Sequence, residues 1–188
     1  MKKAIVVLIL TCLPSLVNAQ GQDSDSVVSS VVAPGGKDVY YIKTLHGQDV
    51  AGNPKMDIEI GINGNRQFLI LLTNQPSEDP QKNLTEFSNL ALSPDGKSLY
   101  FQTAAWATSD AIHSMNLKTR KVSYVTDGEL ACVVLGGQYQ GDLIVEQHKY
   151  FVQGGSYDNL WLYDPTGKKI GLVSEDTDAS RVCPLLAE

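Results

Sequence analysis

The sequence is poor in the groups that covalent chemistry uses. It holds three cysteines and three histidines in 188 residues. His46, His113 and His148 stand far apart and follow no metal-ligand spacing. There is no nucleophile elbow, no closely paired cysteine motif and no glycine-rich loop between a strand and a helix. These absences argue against an enzyme, and no catalytic residue, metal or cofactor is expected. Asp95, Asp127 and Asp164 fall in turns, where bonding to nearby backbone explains them. His113 falls on an alternating strand and reads as a strand residue rather than a catalyst.

Long apolar runs are scarce as well. Ala4 to Leu10 follows Lys2 and Lys3 and precedes the small-residue site Val17-Asn18-Ala19. This is the pattern of a signal peptide over residues 1–19, cleaved before Gln20, and the run is too short to span a bilayer. A lipid-modified Cys12 would leave a very short apolar core, so ordinary export to the periplasm with no membrane attachment is the expectation. Basic charge is also in deficit. Removing Lys2 and Lys3 from the 15 basic residues leaves 13 against 21 acidic ones, a formal charge of −8. That argues against nucleic acid or an anionic membrane surface as partner. Helical periodicity is missing from every segment longer than about ten residues after the signal.

What is present is a repeated strand-and-turn unit, clearest from Ser88 to Gly128. Ser88 to Leu92 is an apolar inner strand, and Ser93-Pro94-Asp95-Gly96-Lys97 supplies a turn with Pro and Gly at the positions that want their backbone angles. Ser98 to Thr103, Ala111 to Leu117 and Lys121 to Thr126 read as three further strands. Four antiparallel strands in so short a span make one propeller blade. The unit resembles the TolB-type propeller repeat, in which an SPDG turn precedes an aromatic strand; that resemblance implies fold and not function.

The same pattern recurs on both sides. SSVVAPGGKDVYY aligns with NLALSPDGKSLYF at a shift of sixty, placing Pro34 on Pro94, Gly36 on Gly96 and Tyr40 on Tyr100. NLWLYDPTGKKIGLVSED superposes on AIHSMNLKTRKVSYVTDG at a shift of 48. The expected architecture is therefore all-β: a small three-bladed β-propeller-like domain of antiparallel four-stranded sheets over residues 29–188. Its blades are expected near 29–73, 86–128 and 129–176, followed by a C-terminal tail. Residues 20–28 read as a flexible leader. Single-chain propellers usually have roughly four to eight blades. Either three sheets pack about one axis, or two chains pair as a homodimer to finish a ring. Cys132 and Cys183 remain after signal cleavage, and an even count in an exported protein reads as one disulfide, pinning the tail to the start of the last blade.

Binding chemistry is expected in the loops, because propeller loops gather at the two ends. Three loops at matching places stand out: Leu45 to Lys55, Ala104 to Asp110 and Lys149 to Asp158. They carry Trp106, Tyr150, Phe151 and Tyr157, aromatics of the kind that anchor protein interfaces. Trp106 is followed by Ala107, Thr108, Ser109 and Asp110, a make-up suited to entering a cleft; the competing role for Trp106 is to pack across its own blade. In architecture, size and signal the whole chain resembles the periplasmic immunity proteins that neutralise type VI secretion amidase effectors. That resemblance implies a cognate effector amidase as protein partner, inhibited by a loop, here Ala104 to Asp110 with Ser109 offering a hydroxyl. The alternative is a TolB-like envelope accessory module that binds a peptide or protein at the propeller face.

Overall fold

The computed structural model describes residues 25–64, 66–175 and 181–183. The signal-peptide reading of residues 1–19 and most of the C-terminal tail lie outside the described residues. Alternating apolar side chains, punctuated by Gly, Pro, Asn and Asp, build three antiparallel sheets, each a simple meander of four strands. Blade one is Ser26–Val32 (β1), Val39–Gln48 (β2), Pro54–Ile62 (β3) and Gln67–Thr73 (β4). Blade two is Ser88–Leu92 (β5), Ser98–Trp106 (β6), Ser109–Asn116 (β7) and Val122–Asp127 (β8). Blade three is Glu129–Val133 (β9), Leu143–Tyr150 (β10), Ser156–Tyr163 (β11) and Lys169–Ser174 (β12). No helix among the described residues is long and apolar enough to cross a membrane.

The repeat at a shift of sixty holds bond by bond. Ala33 N–H donates to Asp38 C=O and Gly36 N–H to Ala33 C=O; Ser93 N–H donates to Ser98 C=O and Gly96 N–H to Ser93 C=O. Gly96 has φ +67°, which a side chain would disfavour. The SPDG turn is further locked by Ser93 Oγ, which accepts from Ser98 N–H at 2.9 Å and donates to Asp95 Oδ1 at 2.7 Å. Those bonds, with the Lys97 N–H and ammonium, hold the Asp95 carboxyl down at about 2.

Two boundaries differ from the sequence reading. The first strand begins at Ser26, so Ser26 and Val27, expected in the leader, pair with β2 instead, and Val28 falls in a bulge before Ser29. The strands of the blade hairpins also run further toward their tips. Trp106 pairs with Ser109 and Tyr150 with Ser156, leaving turns of two and five residues where longer loops were expected. Aromatic residues continue the ladder because cross-strand packing holds them there.

Blade two lies between the others and is buried on both faces. Toward blade one, Leu99, Phe101 and Met115 pack on Tyr40, Ile42, Met56 and Ile58, with Leu84 and Phe87 of the 74–87 connector filling the seam. Toward blade three, Tyr100, Ile112 and Val125 pack on Leu130, Leu143, Val145 and Tyr163. A polar knot crosses this second interface. Gln102 Oε1 accepts from Leu130 N–H at 2.9 Å and from Asn89 Nδ2 at 2.7 Å, while its Nε2 donates to Asp110 Oδ2 at 2.9 Å. Every polar atom of the buried amide is thereby engaged, which removes the cost of an orphaned group.

No cluster of buried side chains joins blade one to blade three among the described residues. Instead β1, β5 and β9 line a shared groove of about 590 Å³. The sheets form an arc around it. On the far side of blade three a third cluster, Val134, Ile144, Leu160 and Leu162, is covered by Val182 beside the Cys132–Cys183 disulfide, whose Cα atoms are 6.2 Å apart.

His113 belongs to the core. Its Nε2 is 3.0 Å from Thr103 Oγ1, and its ring stacks on Phe101 with centroids 5.5 Å apart. Burial pushes its pKa down from 6.5 to about 4, so the folded protein holds it neutral.

Two outcomes are expected. The disulfide closes a loop spanning 51 positions, and Cys132→Ser with Cys183→Ser should lower unfolding free energy by about 4 kcal/mol in the chain-entropy account; urea denaturation of the oxidised protein and the variant measures it, and equal midpoints would contradict it. For His113, the unfolded chain takes up a proton below pH 6.5 and the folded protein only near 4. Stability should fall as pH drops through that window, by at most about 3 kcal/mol. Urea midpoints at pH 7 and 4.5 should show the fall in the natural protein and a smaller one in His113→Phe.

Candidate functional site

Strands two and four of each blade end on the same side of the arc, so the central hairpins and the links between blades share one end. The hairpin ends there carry exposed apolar side chains: Val50 in blade one, Trp106 in blade two, and Tyr150, Phe151 and Val152 in blade three. The turns at the other end are made of Pro-Gly-Gly-Lys, Ser-Pro-Asp-Gly and Asp-Pro-Thr-Gly, and they are polar. Exposed apolar groups cost solvation unless something covers them; others, such as Phe68, Leu69 and Ile70 of β4 and Ile170 and Leu172 of β12, lie along the outer strands, and the hairpin end is the candidate site because all three blades contribute to it.

The blade-two and blade-three tips touch. Tyr150 OH lies 3.4 Å from Thr108 Oγ1, a long hydrogen bond. Trp106 lies outside all three buried clusters, 40% exposed, with its ring edge-on to Tyr124 at 6.5 Å. Ala107 and Thr108 form the turn itself, so the expected projecting loop at 104–110 is a tight hairpin end. Ser109 is half-buried at the start of β7, and its Oγ donates to Asp110 C=O at 3.3 Å. Asp110 is half-buried, and its carboxylate accepts from Gln102 Nε2. Phe151 and Tyr157 pack ring on ring at 4.7 Å, and Tyr150 stands edge-on to His148 at 4.8 Å.

The blade-one tip joins this end through the 74–87 connector. Asp49 accepts from the N–H groups of Ala51 and Asn53 at 2.9 and 3.0 Å and from Asn74 Nδ2 at 3.0 Å. These bonds hold its carboxyl below the usual range. Asn83 Nδ2 donates to Ala104 C=O at 2.9 Å, tying the same connector to blade two. The three tips share an end, and among the described residues those of blades two and three meet directly.

Between those two lies a cleft of about 220 Å³ lined by Thr108, Ser109, Gly128, Glu129, Glu146, His148 and Asp158. His148 Nδ1 and Asp158 Oδ1 are 2.6 Å apart. Burial, then the carboxylates of Glu129 and Asp158, pushes the Glu146 pKa up. Gly128 forms the floor, with φ +125° and a position where a Cβ would sit 2.4 Å from Glu146 C=O. Sequence reading did not single out Glu129, Glu146 or Asp158, and it set His148 aside for want of ligand spacing. Their signal is strand register: β10–β11 sets His148 opposite Asp158, and β9–β10 sets Glu146 opposite Glu129. Among the described residues no group of three His, Cys, Asp or Glu side chains is arranged to hold a metal ion.

Neither a scan against protein families nor a comparison with curated proteins finds a match for this sequence. Solved structures do match. One of two prolyl endopeptidases is 17% identical, with TM-score 0.54 over 81% of this chain and 23% of its own. The acylaminoacyl peptidase of Pyrococcus horikoshii is 15% identical, with TM-score 0.53 over 79% of this chain and 25% of its own. TolB from Acinetobacter baumannii is 15% identical, with TM-score 0.48 over 76% of this chain and 31% of its own. The chain thus spans between 23% and 31% of the length of these structures. At such identities the likeness is one of fold: three antiparallel four-stranded sheets arranged as in a β-propeller.

Proposed function

We propose that this chain is an exported protein-binding domain whose hairpin end grips and inhibits a peptidoglycan-cleaving amidase delivered by type VI secretion. The reading rests on the apolar and aromatic tips gathered at one end, with Trp106 and Phe151 on either side of the Thr108–Tyr150 contact. Large aromatics on short, paired hairpins lose little conformational freedom on binding, which favours tight complexes. The blade-two hairpin end, with Trp106 at its shoulder, is the wedge, and the cleft behind it offers hydroxyl, imidazole and carboxylate groups to polar groups of the partner. An acidic surface suits a basic partner and speeds its capture. Export through residues 1–19 would place the chain in the periplasm, where such an enzyme acts on its substrate.

A second reading, a TolB-like envelope accessory module, is favoured by the groove between β1, β5 and β9, whose inner-strand walls suit an extended peptide. The two readings use opposite regions of the arc, and substitutions separate them.

Trp106→Ala with Phe151→Ala should weaken capture of the partner from envelope and secreted fractions by about a thousandfold, at roughly 2 kcal/mol per lost anchor. The melting temperature should stay nearly unchanged because both side chains are exposed. Purified natural protein should also block peptidoglycan cleavage by the captured enzyme, and the double variant should not. Capture that survives the double change but is lost on filling the groove, for example with Ala131→Trp, would favour the peptide reading instead.

A further inference from the structure

Alternation along β3 sends Met56, Ile58 and Ile60 toward blade two and leaves Asp57 and Glu59 on the other face. That face is open, so both carboxylates would ordinarily stand in water. They do not. Asp57 is only 5% exposed and Glu59 8%. Glu59 is satisfied by the ammonium of Lys43, which also lies 4.3 Å from the centre of the Phe68 ring. Asp57 differs: among the described residues no donor hydrogen-bonds to its carboxyl. Burial, followed by the negative charges of Glu59 and Asp25, pushes its pKa up against the pull of Lys43. The residue is largely covered, yet its carboxyl oxygens still reach solvent, so a donor arriving from outside can meet them.

The space beside it can hold one. Asp57 lines a pocket of about 550 Å³ with Leu45, Val50, Met56, Pro76 and Asp49. The walls are mainly apolar, with two carboxyl groups set among them. Asp49 is fully engaged by its own loop and by Asn74, so it contributes charge and not a free hydrogen-bond site. Lys55, the cation on the pocket lining, extends along Gly47, where its Nζ would lie 4.0 Å from a Cβ. An alkyl stem would pack on Leu45, Val50 and Met56 while a positive head met Asp57. The pocket opens at the blade-one hairpin, on the same end as Trp106 and Phe151.

We propose that this pocket receives a basic side chain, an ammonium or guanidinium on an alkyl stem, presented by the protein that docks on the hairpin end. The proposal rests on the protein-binding reading above for the source of that side chain, while the pocket's chemistry stands without it. The partner would then carry a lysine or arginine on its docking face, about one blade's width from the cleft that accepts the wedge. Asp57 positions and neutralises that residue, so it sets which partners fit and not how tightly the aromatics hold.

The test uses the oxidised full-length mature chain and a single-residue probe. Titration with Nα-acetyl-lysine amide or Nα-acetyl-arginine amide, followed by backbone amide resonances, should shift Val50, Met56 and Asn74 saturably at millimolar concentration. Nα-acetyl-norleucine amide should not, and Asp57→Asn should weaken binding at least tenfold without lowering the melting temperature. Should Asp57→Asn fold poorly, Thr73→Trp, placed at the exposed pocket mouth, provides a second block. Absence of saturable shifts, equal binding of norleucine amide, or unchanged affinity in a folded Asp57→Asn or Thr73→Trp variant would overturn the proposal. Because the probe needs no protein partner, its failure leaves capture through Trp106 and Phe151 untouched, and failure of capture leaves probe binding untouched.

Discussion

Blade two has no face to spare for water. Leu99, Phe101 and Met115 project from one side of the sheet and Tyr100, Ile112 and Val125 from the other. A sheet so constituted is stable only with a layer on each side. Blades one and three supply those layers, and the requirement fixes their order, their spacing and the direction in which every hairpin points. Because sheets pack face to face, corresponding turns must fall at corresponding ends. The grouping of apolar tips follows from core packing before any partner is considered.

The interface between blades two and three adds direction to this adhesion. Hydrophobic faces can slide; the Gln102 knot cannot, because it answers the N–H of Leu130, the amide of Asn89 and the carboxylate of Asp110 together. Moving β9 by one residue would break the bonds that Gln102 and Asn89 make to the Leu130 backbone. The cleft beside His148 and Asp158 inherits its shape from that registration. Recognition groups at this end are therefore held by strands and not by slack loops, which limits the entropy lost when a partner binds.

Much of this was legible in the sequence because turn chemistry is local. The PGGK and SPDG segments announce themselves through proline and positive-φ glycine, and the apolar strands beside them read directly. The hairpin ends were less legible. Ala107-Thr108 contains neither Gly nor Asn, so nothing in composition signals a two-residue turn, and Trp106 looked like loop rather than strand. Ser26 to Val28 followed a polar run that masked the start of β1. The placement of Asp57 was hidden for a different reason. Met56 to Ile62 alternates correctly, and alternation assigns Asp57 to the water side, yet it is only 5% exposed between its cross-strand neighbours Lys43 and Thr73. His148 and Asp158, ten positions apart, meet only once the β10–β11 register is known.

The cystine between Cys132 and Cys183 has a consequence for how the molecule comes apart. It ties the innermost strand of blade three to the segment beyond its outermost strand, so that sheet is stitched shut at its margin. Blade one has no such stitch. Thermal breathing must then begin at the amino-terminal sheet and travel inward, making the arc a zipper with one locked end. A protease attacking the folded protein would find its first cut near β1, and the aromatic tips of blades two and three would outlast it.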